Sequence, residues 1–414
     1  MSSKLTRAAR LGMSILPALL VASVFAADEG TAPFKLGTFS EGGRQFLGLV
    51  LQDSRVVDIA AANTAFERAH RRGPKVRPPA DMKELISRYD QDVGPRLRQL
   101  AAANAAPESA KYVYPIASVG VLPPVRPAVI LNAGANYPEH ARGIVEQAAR
   151  AAASAGAAAS APAAGPAAPG ADATSPAAGP TASGAGPAAS AGPGRFGGNI
   201  PRQPAVSKPG LWERAADDPR PDNPYLFLKS PSVVVGANDD VVIPRGRDEI
   251  DWECEFAVVI GRTAKDVPVA DAASHVFGYS IEFDVSDREN RGDRKMGGGP
   301  DWFVQKNHDT FAPIGPFIVP QEFVANPMNT RHYFTLNGEV KQDSNTSRME
   351  YNIWEMLAYA SNVMTLSPGD MISMGTPPGT NIEKQNPRWM KPGDVGVCAV
   401  EGIGEQHHHI VAQQ

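Results

Sequence analysis

The stretch DEIDWECEFAVVIG, residues 248–261, places two glutamates two positions apart within an apolar run. Successive side chains along a strand point to opposite faces. One face would therefore carry Trp252, Cys254, Phe256 and Val258, and the other Glu253, Glu255, Ala257 and Val259. Two carboxylates on a buried strand face are costly unless a cation compensates them, and a divalent metal is the natural candidate. The alternative is an edge strand whose charges are solvated.

A second strand-like stretch follows in VFGYSIEFDVSDREN, residues 276–290. Its apolar face would carry Phe277, Tyr279, Ile281 and Phe283, and its other face Gly278, Ser280, Glu282 and Asp284. The two acidic faces look like parts of one site. Because they offer carboxylates, with no cysteine or histidine at zinc spacing, the pattern favours Mg²⁺, Mn²⁺ or Ca²⁺ over zinc.

Further motifs accompany these stretches in a fixed order. They are Gly278-Tyr279, Asp284-Val285-Ser286 with Arg288, KNHDTF (306–311) with Gly315-Pro316, Asn337-Gly338-Glu339 with Gln342 and Thr346, and Gly375-Thr376-Pro377 with Gly379. Together with the Glu253/Glu255 pair, this succession resembles the fumarylacetoacetate hydrolase family over about half of the chain. The resemblance implies a mainly β, α+β architecture, the mixed β-roll of that family's C-terminal domain, in a homodimer that takes a small oxo-acid substrate.

The resemblance also implies a role for each matching residue. It gives Glu253, Glu255 and Asp284 as metal ligands, Lys306 as a catalytic residue, and Tyr137, Arg288 and Thr376 as substrate-binding residues. The metal is expected to be Mg²⁺, with Mn²⁺ or Ca²⁺ as alternatives. An ammonium group beside a metal can hold a substrate carboxylate or offset the charge of an enolate. The alternative for Lys306 is an ordinary surface lysine, and the alternative for Thr376 is a residue of a plain Gly-Thr-Pro turn.

The stretch GANYPEHARG, residues 134–143, resembles the family's Asn-Tyr-x-x-His-Ala-x-Glu motif on a mobile lid. By this resemblance His140 would be a catalytic residue that prepares water or moves a proton together with a glutamate. Gly143 stands where that glutamate is expected, and neither Glu139 nor Glu146 has the spacing to meet His140 on one helix face. The alternative is that His140 only packs or caps.

Glu282 also departs from the family pattern, since a small residue is usual at that position. It could serve as an extra acid, either as a ligand or as a proton acceptor, or it could form a salt bridge with Arg288 or Arg291. The glycine-rich loop RGDRKMGGGPDW, residues 291–302, lacks the strand-then-helix setting of a phosphate-binding loop. It is predicted to be a flexible rim of the substrate pocket.

These residues predict a metal-dependent hydrolase that cleaves a C–C bond in an acylpyruvate or related diketo acid. Hydrolysis needs an activated water, and the expected glutamate is absent at position 143. This absence strengthens the case for two alternatives. One is an isomerase, decarboxylase or hydratase of 2-oxo dioic acids, which only needs proton movement. The other is a non-catalytic periplasmic protein that binds oxo acids.

The 414-residue chain is 43% hydrophobic with a formal charge of −4, so nothing basic suggests a nucleic-acid partner. Its predicted parts are a signal peptide at 1–26, a small N-terminal α+β domain at 30–122 and a catalytic domain at 125–412. Short hairpin-like strands are expected at 34–59, and helices at 60–71 and 82–103. Residues 146–205 are predicted to be a disordered insertion, because Ala, Gly, Pro and Ser cannot form a core.

Lys4, Arg7 and Arg10 precede an apolar run in the first 26 residues, which predicts export to the periplasm, or secretion, with cleavage near Ala26 and no membrane association afterwards. A membrane anchor is the alternative, but the run is short for a span. Cys254 and Cys398 are the two cysteines. Strand parity puts Cys254 on the core face, where it is expected to be a free buried thiol, with a bridge to Cys398 as the alternative. Strand alternation would separate the middle ring of His407–His409 from the other two.

Overall fold

The computed structural model describes residues 32–106, 110–160, 223–289 and 301–414. The signal peptide predicted at 1–26, most of the insertion predicted at 146–205 and most of the loop at 291–302 lie outside these ranges. Within them, no helix is both long enough and apolar enough to cross a membrane.

The N-terminal domain is a five-stranded sheet with helices on one side. Its strands are β1 (Lys35–Glu41), β2 (Arg44–Leu51), β3 (Arg55–Asp58), β4 (Val113–Pro115) and β5 (Gly120–Leu122), in the order β4-β3-β2-β1-β5. Its helices are α1 (Ile59–Ala69), α2 (Met82–Ser87), a π-helical turn (Tyr89–Val93) and α3 (Gly94–Ala103). The hairpins and both helical stretches predicted for this region are confirmed.

The other described residues form the larger domain. Its strands are β6 (Ile130–Ala133), β7 (Leu226–Lys229), β8 (Val234–Val235), β9 (Val241–Ile243), β10 (Ile250–Asp251), β11 (Cys254–Ile260), β12 (Val276–Phe283), β13 (Ser286–Asp287), β14 (Ala312–Pro313), β15 (Val319–Pro320), β16 (Arg331–Leu336), β17 (Glu339–Asn345), β18 (Met371–Ser373), β19 (Val395–Val400) and β20 (Gly404–Ala412). Its α-helices are α4 (Pro138–Ser160), α5 (Trp302–Lys306) and α6 (Ile353–Val363). Short 3₁₀ helices lie at Ile116–Ser118, Pro231–Val233, Val269–His275, Gln321–Phe323, Thr346–Arg348 and Asn381–Glu383.

Two mixed sheets share the main core of the larger domain. One has six strands in the order β15-β12-β11-β18-β6-β7, and the other five in the order β17-β16-β19-β20-β9. Most pairs are antiparallel, while β6 with β18 and β9 with β20 are parallel. The ring of Phe334 stacks on Trp252 and Phe283, with centroids 5.5 and 5.2 Å apart. The α+β fold with a mixed β-roll is therefore confirmed.

Strand parity is also confirmed along β11. Trp252, Cys254, Phe256 and Val258 face the core between the two sheets. On the opposite face, Ala257 and Val259 pack in a second cluster that includes residues of the N-terminal domain. The alternation predicted for β12 fails at Phe277, which joins the second cluster and meets Tyr89 edge-on at 5.1 Å. The reason is a register shift in the ladder between Val259 and Ile260, since a bulge exchanges the two faces.

Cys254 and Cys398 form a disulfide, so the expectation of a free thiol at Cys254 is wrong. The predicted core-facing direction of Cys254 is correct, and both residues are fully buried. Cys398 lies on β19 of the opposing sheet, and the Cα atoms are 5.4 Å apart. The pairing requires two facing sheets, which the sequence spacing of 144 residues does not reveal.

Helix α4 continues to Ser160, so the prediction of disorder is wrong for residues 146–160. The alanine-rich run holds a helix there because no proline follows Pro138 until Pro162, and alanine has the highest helix propensity.

Candidate active site

Three acidic side chains meet at the ends of β11 and β12. Glu255 is the second residue of β11, Glu253 immediately precedes that strand, and Asp284 follows the last residue of β12. Antiparallel pairing brings these ends together, and the Asp284 N–H donates to the Glu253 carbonyl oxygen at 2.8 Å. One carboxylate oxygen from each residue lies within 4.8 Å of the others, and all three residues are buried. This is the predicted ligand set, and its oxygens suit a hard divalent cation.

Three cationic side chains surround these acids. Lys306, at the end of α5, donates to Glu253 Oε2 at 2.8 Å and to Asp284 Oδ2 at 2.6 Å. Lys229, at the end of β7, forms an ion pair with the other oxygen of Asp284 and donates to the Phe311 carbonyl oxygen at 2.6 Å. The sequence analysis missed Lys229. A lysine that closes the apolar strand LFLK was the available signal, because a lysine buried in a sheet requires a partner.

Arg288 is the third cation. It forms ion pairs with Asp251 and Glu253, at 3.1 Å from its Nε to Asp251 Oδ2. The structure therefore places Arg288 beside a predicted metal ligand, while its contact with substrate stays a prediction. Asp251, which the sequence analysis also missed, accepts backbone N–H groups of Asn381 at 2.8 Å and Ile382 at 3.2 Å. Asp251 thus ties the acidic strand to the turn that carries Glu383.

Among the described residues Glu282 forms no salt bridge with Arg288, which pairs with Asp251 and Glu253 instead, and Arg291, the other partner considered, lies outside them. Glu282 instead accepts a hydrogen bond from Asn132 Nδ2 at 3.0 Å. It faces Glu255 directly across β11 and β12. The triad of possible ligands does not include Glu282. Burial, only partly offset by Lys229, raises the pKa of Glu282 to about 7.

The charges of the site leave room for one divalent cation. Burial and the neighbouring carboxylates raise the pKa of Glu255 well above its ordinary value. For Glu253, burial acts in the same direction, but Lys306, Arg288 and His140 together hold its pKa below the ordinary value. Five buried carboxylates face three cations in this cluster: Asp251, Glu253, Glu255, Glu282 and Asp284 against Lys229, Arg288 and Lys306. With all five carboxylates ionised, one divalent cation would offset the excess of two negative charges, and so the residues fit such an ion.

His140 has an orienting carboxylate, so the expectation that its acidic partner is missing is wrong. His140 is buried in the first turn of α4, and its Nδ1 lies 2.5 Å from Glu383 Oε1. Glu383 ends the 3₁₀ helix Asn381–Glu383 and accepts the hydroxyl of Thr380 at 2.7 Å. Burial would raise the pKa of Glu383, but the His140 and Thr380 hydrogen bonds lower it below the ordinary value.

The absence of a side chain at Gly143 leaves the space that Glu383 needs beside His140. A Cβ atom at position 143 would lie 2.8 Å from Glu383 Cγ and 3.1 Å from its Oε2. Glu383 thus occupies the space that a side chain at position 143 would fill. Its separation from His140 by 243 residues hid the pair from sequence reasoning.

The remaining predicted residues line the surroundings of the acids. The Gly375 N–H donates to Glu255 Oε2 at 2.9 Å, which places the Gly-Thr-Pro turn against the metal ligands. Thr376 Oγ1 accepts a hydrogen bond from Gln342 Nε2 at 2.8 Å. Tyr137 is fully buried, with its hydroxyl 2.9 Å from His332 Nε2. Their contacts with substrate stay predictions.

A buried acidic triad with a lysine and a histidine–glutamate pair, carried on a mixed β-roll, defines the class of protein. The family model described as fumarylacetoacetate (FAA) hydrolase C-terminal matches residues 203–411, and the chain belongs to this family. The mitochondrial oxaloacetate tautomerases FAHD2A of Bos taurus and Homo sapiens are each 40% identical to it, over 192 and 186 residues. These alignments cover 46% and 45% of this chain and 60% and 58% of the two relatives, so the chain spans less than two thirds of each.

Two solved structures match most of the chain. Maleylpyruvate hydrolase from Sphingobium sp. SYK-6, in complex with manganese(II) ion and pyruvate, is 25% identical with a TM-score of 0.57. Fumarylacetoacetate hydrolase from Exiguobacterium antarcticum is 23% identical with a TM-score of 0.59 and supports the fold alone. Each alignment covers 92% of this chain and 100% of the other. Family membership supports an enzyme that acts on small molecules with a divalent metal.

Proposed function

We propose that this protein is a divalent-metal-dependent hydrolase that cleaves a C–C bond in an acylpyruvate-type diketo acid. The observation that carries the proposal is the His140–Glu383 pair beside the acidic triad. Hydrolysis requires a base that activates water, and this pair supplies one. The match to a maleylpyruvate hydrolase at 25% identity supports the same reaction class.

Glu253, Glu255 and Asp284 would hold the metal, for which we propose Mg²⁺, with Mn²⁺ or Ca²⁺ as alternatives. When bound, the ion supplies Lewis-acid chemistry that polarises the oxygens of a dicarbonyl group. The manganese(II) ion in the maleylpyruvate hydrolase structure supports a cation of this kind.

The protein's own groups account for the proton movements. Glu383 accepts the Nδ1–H of His140, which leaves Nε2 as the basic nitrogen. Nε2 takes a proton from water as the water oxygen adds to the carbonyl carbon. The C–C bond then breaks and leaves an enolate and a carboxylic acid, and the imidazolium returns its proton to the enolate carbon. Lys306 offsets the negative charge of the enolate, because its ammonium group lies within the acidic cluster.

A tautomerase of 2-oxo dioic acids is the second candidate. The relatives at 40% identity are named oxaloacetate tautomerases. The same His140 nitrogen could move a proton between carbon and oxygen of an enolate without any water, so the site geometry fits both reactions.

The first experiment is to incubate the purified protein with acylpyruvates and with oxaloacetate, in Mg²⁺ or Mn²⁺. Release of pyruvate and a second acid from acylpyruvates would establish the hydrolase. Conversion of the enol to the keto form of oxaloacetate without new products would establish the tautomerase instead. The Glu253→Ala/Glu255→Ala variant is the control and should abolish either activity. If the protein binds oxo acids without turnover, it is the non-catalytic binding protein.

We further propose that the protein is exported to the periplasm and works there. The basic and apolar residues of segment 1–26 motivate this proposal, and the Cys254–Cys398 disulfide supports it because disulfides persist in oxidising compartments. Fractionation of cells that express the full chain tests it. Recovery in the cytoplasm with an intact N-terminus would contradict export.

A further inference from the structure

We propose that the Cys254–Cys398 disulfide positions the metal ligands, so that breaking this bond weakens the affinity for a divalent cation. This inference rests on the metal site of the proposed function and adds a pair of positioning residues to it. The observation behind it is that Cys254 lies directly between Glu253 and Glu255, two of the three acids of the site.

The segment that carries these glutamates is attached to its surroundings through Cys254. Its backbone N–H donates to Gln342 Oε1 at 3.1 Å, and its carbonyl oxygen lies 3.3 Å from His332 Nδ1. Its side chain is bonded to Cys398 on β19. Gln342 and His332 belong to β17 and β16, so all three links lead from the acidic strand to the five-stranded sheet.

The disulfide is the covalent link among the three, and the core around it leaves little room for movement. Both cysteines are fully buried. Cys398 pairs with Phe334, whose ring stacks on Trp252 immediately before Glu253. Two thiols cannot approach as closely as bonded sulfurs, and a close-packed core transmits the displacement of one side chain to its neighbours. Reduction should therefore separate β11 from β19 at the position where the metal ligands begin.

A shift at Cys254 would reach both glutamates at once. Glu253 and Glu255 flank Cys254 on the same strand face, while Asp284 follows β12 and has an anchor of its own in Lys229. A displacement of β11 would thus change the positions of two ligands relative to the third. Loss of an interaction that orients metal ligands typically lowers affinity by about 10- to 100-fold.

The test is a titration with Mn²⁺ alone, without substrate, in which free Mn²⁺ is measured by electron paramagnetic resonance. The samples are the oxidised protein, the reduced protein and the Cys254→Ala/Cys398→Ala variant. Because the chain has two cysteines, a thiol count in denaturant reports the state of this bond. We expect the Kd for Mn²⁺ to rise about tenfold or more in the reduced protein and in the variant, and reoxidation of the wild type should restore it.

Thermal unfolding of the same metal-free samples separates positioning from general stabilisation. A fall in Tm with an unchanged Kd for Mn²⁺ would overturn the proposal, because the bond would then only stabilise the fold. Failure of the oxidised protein to bind Mn²⁺ would overturn both this inference and the metal site. If the Kd changes as expected while the oxidised protein shows no turnover, the proposed reaction fails and the positioning role stands.

Discussion

In the proposed mechanism Glu383 acts through one hydrogen bond to His140, and its charge is therefore its main contribution. In a Glu383→Gln variant an amide oxygen can still face the imidazole, but the imidazolium formed during the reaction loses its counter-charge. We expect kcat to fall about 100-fold, within the usual range for general acid–base groups. Steady-state kinetics with the best acylpyruvate substrate would measure this.

Glu139→Gln is the matched control, because Glu139 lies in the same turn of α4 but pairs with Arg348 at the surface. It should leave kcat unchanged. The Kd for Mn²⁺ should stay the same in both variants. An unaltered kcat in Glu383→Gln would remove the pair from the mechanism.

Gln342 is a second residue with a testable role, since its amide joins two parts of the site. It accepts from the Cys254 N–H at 3.1 Å and donates to Thr376 Oγ1 and the Pro377 carbonyl oxygen, each at 2.8 Å. Gln342→Leu should lower the free energy of unfolding by about 1–3 kcal/mol, because buried partners are left unpaired. It should also raise KM, because Thr376 loses its anchor.

Gln406→Leu separates these two effects. Gln406 is equally buried and donates to three backbone carbonyl oxygens, of Ile281, Pro313 and Gly315. The loss of stability measured by urea unfolding should be similar in both variants. A rise in KM for Gln406→Leu as well would mean that Gln342 has no specific part in substrate binding.

The site residues that could be identified from the sequence are those whose adjacent residues form a recognisable pattern. Glu253, Glu255 and Asp284 sit in alternating strands, where parity alone predicts a shared face, and Lys306 lies in a recognisable motif. Glu383 has no local pattern that reveals its role, because its partner is 243 residues away. Residues contributed by a distant turn become visible only once the chain is folded.

A buried histidine on strand β20 is expected to make the stability of the protein depend on pH. His408 is buried in the middle of the strand, stacked on Phe283, with Nδ1 2.7 Å from the Asp239 carbonyl oxygen. Burial lowers the pKa of His408 to about 4 from the ordinary 6.5. Below pH 6.5 the unfolded chain takes up a proton that the folded chain refuses, so stability falls as the pH drops from 6.5 towards 4. The loss attributable to this ring is at most about 3 kcal/mol.

Urea unfolding at pH 7.5 and pH 5.0 measures this dependence. In His408→Gln the difference between the two pH values should shrink, whatever the effect on absolute stability. His407→Gln is the matched control, because His407 is the exposed neighbour on the opposite face. A pH dependence that is the same in both variants would assign the effect to other groups, among them His332, whose pKa burial also lowers to about 4.

Strands and helices were predictable where the hydrophobic periodicity and the residue composition indicate the same kind of element, as in β1–β3 and α1. The exceptions have physical causes. The face change at Phe277 follows from the ladder shift beside Val259, which depends on the backbone register of two strands and not on side-chain pattern. In α4 the helix propensity of the alanine run exceeds the cost of the single glycines. The helix therefore continues to Ser160, past residue 146, where disorder was predicted to begin.

For the molecule as a whole, the excess of buried negative charge should make stability depend on the metal. A ligand that binds only the folded state stabilises it in proportion to its concentration over its Kd. At Mn²⁺ 100-fold above its Kd we expect a gain of about 2.7 kcal/mol, or on the order of 5 °C in Tm. Differential scanning calorimetry would measure it.

The Glu253→Ala/Glu255→Ala variant serves as the control. It should unfold at the same temperature with and without Mn²⁺. An equal rise in the variant would show that the ion binds elsewhere, for example at the exposed rings of His407 and His409.

The two domains are bound by a shared interface. The N-terminal sheet and helices pack on the outer face of β11, and Tyr89 donates to Glu322 at 2.9 Å across the boundary. Separating the domains would expose this apolar surface, and so the N-terminal domain is expected to be needed for a stable fold. The homodimer stays a prediction, and sedimentation analysis of the purified protein tests it.

The crowding between Gly143 and Glu383 has an evolutionary consequence. The family resemblance places the carboxylate for His140 at position 143, whereas the structure supplies it from position 383, and the two side chains would compete for one volume. A change from one arrangement to the other by single substitutions has two possible intermediates. In one, both positions carry glutamate and the side chains crowd each other. In the other, neither position carries glutamate and His140 has no carboxylate partner. Neither intermediate is favourable, so we expect the two arrangements to exclude each other within one protein. The double substitution Gly143→Glu/Glu383→Gly would convert one arrangement into the other without either intermediate.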